Sequence, residues 1–507
     1  MTRNSRATGC STRNICGSAM GTIVFGTDTK WYPHGSCFLM TSFNSGGSQP
    51  LRNADRAPLT DMPQYALLQW CVLIVAAACA SASFAAEREL DQDPPPGSAR
   101  EIETPIQRVF PEVLVRPSLF PGITEQLQGL SPFFADTQLE VRFRTYYLRK
   151  DRVVDVISEA WAAGGSVYYR SGWLKKLIAV EMEGFTSQSV YAPDDRDGTL
   201  LLARGQEGYS ALGIANAKVR VGGFVLTAGR QYLDLPYVNR NDNRMTPNTF
   251  EAMTLAKSQG ALRFSTGYAW KIKTRTSDEF LSLTRAIGSD KDRGLAHVGV
   301  VWDPHEDFHI GAIGGIVPDL LAGVYGELGV GRDLANGWEL RFDGQITLQT
   351  DTGDDLLGDL LDDTWNLGMR TAASYAGAVF RLGISITGPD AAIVNPYGTN
   401  PSYVDLMQRS FGRADEKALL ASISYDFSNR GFEGFTVIMN FVAGFDGKLQ
   451  DIHDDRQELD LTIDYRAKEG LLKNFSLRVR GSWLNEDLTD RNGTDVRVIL
   501  RYDLPVI

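Results

Sequence analysis

From Leu139 to its end the chain repeats one pattern, segments of about ten residues in which apolar and polar side chains alternate. In the last segment, Thr494 to Leu504, residues Val496, Val498, Leu500, Tyr502 and Leu504 fall on one side and Arg497 and Arg501 on the other. In the first, Leu139, Val141, Phe143 and Tyr147 alternate with Glu140, Arg142, Arg144 and Tyr146. Only an extended strand has a side-chain period of two. Apolar faces opposite charged ones, repeated to the end of the chain, describe a barrel wall with lipid outside and water inside.

The pattern predicts eighteen strands, from 138–148 to 493–504. Their connections alternate in length. Longer polar loops follow strands one, three, five, seven, eleven, thirteen, fifteen and seventeen, with a short link near Pro318 as the exception. Short turns such as Gly222-Gly223 and Ala376-Gly377 follow the even strands. Long loops on one rim and short turns on the other are the mark of a bacterial outer-membrane barrel, with the turns periplasmic. The expected fold is therefore an all-β, transmembrane antiparallel barrel, closed because lipid leaves no partner for an open sheet edge.

The rest of the chain divides around this domain. Leu67 to Ala82 is largely apolar and is followed by small residues through Ala86, which reads as a secretory signal cleaved near Ala86 or Glu87. The expected organisation is an over-extended start or unstructured leader at 1–61, a signal peptide at 62–86, a Pro-rich N-terminal arm at 87–136, mobile or loosely docked, and the barrel at 137–507.

All five cysteines precede residue 80, so the barrel has neither a disulfide framework nor a thiolate metal site. Without residues 1–86 the balance is 45 positive against 59 negative charges, a net of −14, which excludes nucleic-acid binding through bulk charge. The arginines matter by position. Arg142 and Arg144 of the first strand, Arg478 and Arg480 of the seventeenth, and Arg497 and Arg501 of the last all fall on the polar face. Closing the barrel gathers these six guanidiniums on one wall, a track for anions and carboxylates unless Glu140, Glu181 or Glu183 neutralise them.

Other motifs carry less. His305-Glu306-Asp307-Phe308-His309 matches the zinc-protease pattern H-E-x-x-H, which works only on a helix. Here it follows Pro304 and enters a strand-like run, so a turn is expected. Gly323, Gly326, Gly329 and Gly331 have no helix after them and ease strand packing instead of cradling a dinucleotide. The acidic run Asp351 to Asp363 reads as a solvated outer loop, its spacing matching no calcium loop. No cofactor or metal is implied.

At Gly229 to Phe250, GRQYLDLPYVNRNDNRMTPNTF, the chain resembles the outer membrane porin D (OprD) family of substrate-specific channels. The matching positions are Gly229, Gln231, Pro236, Asp242, Arg244, Pro247, Thr249 and Phe250. LEVRFRTYYLRKD, WAAGGSVYYRSGW, ELDLTIDYRAKEGLLKNFSLRVR and DVRVILRYDLP resemble the family's first two and last strands, so the likeness spans about residues 132–507. It implies an eighteen-stranded barrel, a monomer or a weak trimer, with a third loop folded inward and a basic ladder guiding carboxylate-bearing solutes. Leu233 to Thr249 would then form the constriction, with Arg244 as ladder or loop anchor, Asp242 as its counter-charge and Arg230 as a further lining residue. Met245-Thr246, Ala252 and the long N-terminal arm depart from the family pattern.

The expected role is selective passive diffusion of small carboxylates, such as amino acids or aromatic acids, across a bacterial outer membrane, with membrane lipid and solute as partners. Two alternatives stay open: a structural barrel plugged by the arm, and an outer-membrane lipase or protease, for which no histidine lies in a recognisable nucleophile context.

Overall fold

The computed structural model describes Ala99 and residues 118–507, apart from 155, 359–360, 450–451, 471 and 489–491. The expected leader and signal peptide lie outside the described residues. Twenty strands follow in order: β1 (Gln138–Asp151), β2 (Ile157–Arg170), β3 (Ile178–Tyr191), β4 (Tyr209–Val221), β5 (Phe224–Gln231), β6 (Asp234–Leu235), β7 (Val238–Asn239), β8 (Thr249–Gln259), β9 (Leu262–Lys273) and β10 (Leu295–His305). Then come β11 (Phe308–Val317), β12 (Leu321–Asp333), β13 (Glu339–Asp351), β14 (Thr364–Tyr375), β15 (Ala378–Thr387), β16 (Lys417–Asp426), β17 (Phe435–Leu449), β18 (Ile452–Arg466), β19 (Phe475–Glu486) and β20 (Gly493–Pro505). All but β6 and β7 form one eighteen-stranded antiparallel sheet, and β1 pairs with β2 on one side and β20 on the other. The sheet is therefore a ring with no free edge.

Register follows from the two-residue period. At the seam Arg142 lies opposite Asp503, Arg144 opposite Arg501 and Tyr147 opposite Val498, so each face meets its own kind across the closure. A one-residue slip would turn Arg144 and Arg501 outward and Phe143 and Tyr502 inward. The outward positions are the exposed apolar ones, with Phe143 53%, Leu382 64% and Leu419 53% exposed. A band of exposed leucines, valines and phenylalanines over consecutive strands is far larger than a water-soluble monomer carries, and it suits lipid. Near the short-turn rim, ring pairs close the band: Trp302–Phe308 at 5.7 Å, Trp338–Tyr375 stacked at 5.1 Å and Tyr425–Phe427 at 4.7 Å between centroids.

The wall is pinned where strands approach unusually closely. Gly165 has φ +142°, and a Cβ there would meet the Arg142 carbonyl oxygen at 1.8 Å, so only glycine fits beside the first strand.

The structure corrects two expectations. The connections expected to be long after the first and fifteenth strands are instead largely strand, since β1 and β2 are separated only by residues 152–156 and β17 and β18 run to within two residues of each other. The described end of the N-terminal arm, expected to be mobile or loosely docked, forms helices α1 (Pro121–Gln128) and α2 (Pro132–Ala135). Leu119 N donates to Pro505 O at 2.9 Å and Ser118 Oγ to Val506 O at 2.8 Å, tying the arm to the end of β20.

Leu382 sits in the middle of β15 with its side chain outward. Leu382→Arg should lower folding stability in liposomes by about 2–4 kcal/mol, the cost of a cation near the middle of the bilayer. Denaturant titration of the reconstituted protein checks this, and an unchanged midpoint would contradict an outward lipid face.

Candidate pore constriction and charged lining

Residues 232–248, between β5 and β8, fold into the lumen. Asp234 and Leu235 pair with Asn239 and Val238 as a two-residue-strand hairpin. Arg240 fastens its base, donating to the Asp234 carboxylate at 2.6 and 2.9 Å and lying 4.2 Å over the Tyr232 ring. Leu233, Leu235 and Val238 pack against inward Leu295, Val301, Ile313 and Tyr325, each burial contributing about 1.5–3 kcal/mol. One sector of the interior is thus apolar and filled.

The hairpin tip reaches the far wall, where the Tyr237 hydroxyl meets Thr347 Oγ1 of β13 at 2.6 Å. The returning limb is held by the seam. Arg144 donates to both Asp242 oxygens at 2.6 and 2.9 Å, and to the Arg244 and Met245 carbonyls at 2.5 and 3.2 Å. Tyr146 Oη adds a bond to Asn243 O at 3.3 Å. A planar fork matched to a carboxylate fixes orientation as well as distance. Residues 388–416, between β15 and β16, also turn inward. Val238 bridges Tyr397, Met407 N donates to Asp460, and Gln408 N and Arg409 N donate to Glu458 at 2.7 and 2.9 Å. Between loop and wall lies a cavity of about 30 Å³, lined by Arg142, Arg144, Glu183, Tyr232, Arg240 and Arg501 among others.

The six wall arginines do face inward, and the register sets Arg144 beside Arg501 and Arg480 beside Arg497. Most of them are compensated. Arg142 bonds Glu140 and Glu183 at 2.9 and 3.1 Å, and Arg478 bonds Asp464 at 2.5 Å. Arg497, only 3% exposed, is bidentate to Asp495 at 2.8 and 2.7 Å and donates to Met407 O. Arg501 lies 3.9 Å from Asp242. Arg480 differs: its Nε donates to Thr462 Oγ1 at 3.2 Å, and no described carboxylate is within ion-pair distance.

Arg244 anchors the loop, donating to Thr199 O at 2.9 Å and Asn243 O at 2.8 Å. Burial holds its guanidinium below the usual arginine range, and Arg497 adds repulsion. Arg275 nearby is lowered the same way, by burial first and then by Arg244 and Arg497. Arg230 does not line the lumen. It shares a face of β5 with exposed Ala228, opposite buried Thr227 and Gln231, and pairs outside with Glu251 at 3.2 Å beneath the Phe280 ring. The alternation of β5 imposes this, because residue 230 is out of phase with 227 and 231.

Two features escaped the sequence reading. Asp454, Glu458, Asp460 and Asp464 form a buried acidic column on β18, beside the arginines of β19 and β20, and their period of two was visible in the sequence. Arg381 of β15 points inward, where among the described residues its hydrogen-bond partners are the Ser422 and Ser424 hydroxyls at 3.2 and 3.4 Å. The H-E-x-x-H stretch is a hairpin turn: His305 ends β10, while His309 in β11 is buried between Asp303 at 2.5 Å and Glu327 at 2.6 Å. Exposed at the long-loop rim, Asp362 and Asp363 bring carboxylate oxygens within 4.8 Å of one from Asp351.

A closed, lipid-facing barrel with an inward loop and a charged lumen defines a transmembrane pore protein. The profile of the outer membrane porin, OprD family, matches residues 131–506, and this chain belongs to that family. Its long loops are accordingly extracellular, its short turns periplasmic, and its place is the bacterial outer membrane. Among solved structures, Pseudomonas aeruginosa OccK9 (OpdG) is similar at 24% identity and a TM-score of 0.69, over 74% of this chain and 100% of that one. P. aeruginosa OpdK, solved with vanillate, is similar at 21% identity and 0.67, with the same coverage. P. aeruginosa OccK2 (OpdF), solved in complex with glucuronate, is similar at 18% identity and 0.65, over 74% of this chain and 98% of that one. No curated protein matches the chain.

Asp242→Asn weakens the Arg144 clamp while leaving the side-chain volume nearly unchanged. Single-channel recordings should show larger mean conductance and more frequent current fluctuations than the parent; identical traces would mean that the clamp does not set the constriction.

Proposed function

We propose that this porin conducts small carboxylate-bearing solutes, unchanged and by diffusion, past the inward loop. The observation that carries the reading is the contrast among lumen arginines. Among the described residues, Arg480 and Arg381 hydrogen-bond only to hydroxyls and have no carboxylate at ion-pair distance, Asp460 acting on Arg480 from farther off, whereas Arg142, Arg144, Arg478 and Arg497 already have carboxylates in contact. A guanidinium satisfied only by neutral hydroxyls retains attraction for a passing carboxylate, and contacts of moderate strength speed passage where tight ones would trap. The solved relatives with vanillate and glucuronate support carboxylates as the solute class. Amino acids and aromatic acids are the candidates, and the working unit is a monomer in outer-membrane lipid.

Arg381→Ala combined with Arg480→Ala should reduce carboxylate uptake by liposomes about three- to tenfold, the worth of roughly 1 kcal/mol at a charge-assisted contact, while uptake of a neutral sugar stays within twofold. Equal loss for both solutes would point to a damaged barrel, and no loss for either would remove these arginines from the path.

A second reading, a barrel partly filled from its periplasmic mouth, is favoured by Ala99. It is fully buried, packs on inward Ala372 and Val379, and donates its N–H to Ser374 Oγ at 2.9 Å. On this reading, deleting residues 87–117 raises ion conductance in planar bilayers; unchanged conductance leaves the arm without a plugging role.

A further inference from the structure

We infer that residues 118–136 form an interfacial foot, lying in the headgroup region of the periplasmic leaflet beside the barrel seam. The helix α1 lies just before the residues matched by the family profile, 131–506. None of its residues is buried. Phe120, Ile123 and Leu127 fall on one helical stripe, with Glu125 on the opposite side. Around this stripe Leu119, Phe120, Ile123, Leu130 and Phe134 are each 42–53% exposed.

The foot is fixed to the wall, so its apolar face has a definite place. Besides the two bonds to the end of β20, Gly172 N donates to Phe133 O at 3.0 Å. A Cβ at Gly172 would lie 2.0 Å from Pro132 O, which shows how closely α2 approaches the turn between β2 and β3. That turn carries more of the same surface: Leu174, Leu177 and Ile178 are 43%, 41% and 37% exposed, with Lys175 and Lys176 among them.

Leucines facing outward with two lysines between them suit the boundary of a bilayer, where stems enter the acyl region and ammonium groups meet phosphates. The patch is continuous with the apolar outer wall of β2 and β3, on which Val167 and Met182 are 52% and 46% exposed. Lipid is therefore the occupant. A segment held there by five large side chains stays on the outer flank of the seam, where the wall already meets the bilayer.

The test uses the full chain with Cys10, Cys16, Cys37, Cys71 and Cys79 replaced by serine, carrying either Ile123→Cys or Glu125→Cys and a solvent-sensitive fluorophore. Each is reconstituted in phosphatidylethanolamine–phosphatidylglycerol vesicles containing nitroxide-labelled acyl chains, and folding is verified by heat-dependent gel mobility. The label at 123 should be quenched at least about twofold more than the label at 125, with blue-shifted emission. Equal quenching at both positions, or none at either, overturns the proposal. So does a label at 123 that is shielded from water but not quenched by lipid, since protein would then cover the stripe.

Discussion

Everything in this molecule depends on a debt of hydrogen bonds. A strand crossing lipid must find partners for every backbone N–H and C=O within the protein, and an open sheet leaves two rows without them. Pairing of β20 with β1, from Thr494 opposite Asp151 to Pro505 opposite Glu140, removes both rows. Once the ring is closed, the two-residue period does the rest. Each strand has one side turned to hydrocarbon and one to the lumen, and every charged residue must be sorted accordingly.

Inside, the problem becomes electrostatic. Cations on neighbouring strands repel, and the register places Arg144 beside Arg501 and Arg480 beside Arg497. The protein answers with carboxylates from different sources: Asp495 two residues along the same strand, Asp464 on the adjacent one, and Asp242 from a loop. The apolar sector formed by Leu295, Val301 and Ile313 gives that loop a dry bed, so the charged limb faces the arginines and the aliphatic limb faces away. Lumen polarity is therefore divided by sector, and the loop lies between the two.

Much of this was legible in the sequence because a strand writes its environment with the shortest possible period. All eighteen barrel strands follow from alternation, and so do the inward directions of Arg142, Arg480 and Arg497. The same rule turns Arg230 outward, against its expected place in the lumen. The contacts of the loops could not be read. Tyr237 meets Thr347, 110 positions away, through a turn with no periodicity, and Asn239 meets Thr399 across 160. Such pairings depend on the diameter and tilt of the finished ring, which no local pattern encodes. Compensation of charge is similarly hidden: Arg480 and Arg497 look alike as letters, yet one touches a threonine hydroxyl and the other an aspartate.

The clamp at Asp242 has a further meaning in time. Its oxygens reach Arg144, in the first strand of the wall, and approach Arg501, in the last. Beginning, middle and end of the domain thus meet at one carboxylate. Contacts so distant along the chain form late, because the loops they close cost the most entropy. The approach of Arg501 spans far more chain than the Arg144 fork, so the last strand adds its charge to an aperture whose main clamp lies within the earlier part of the wall.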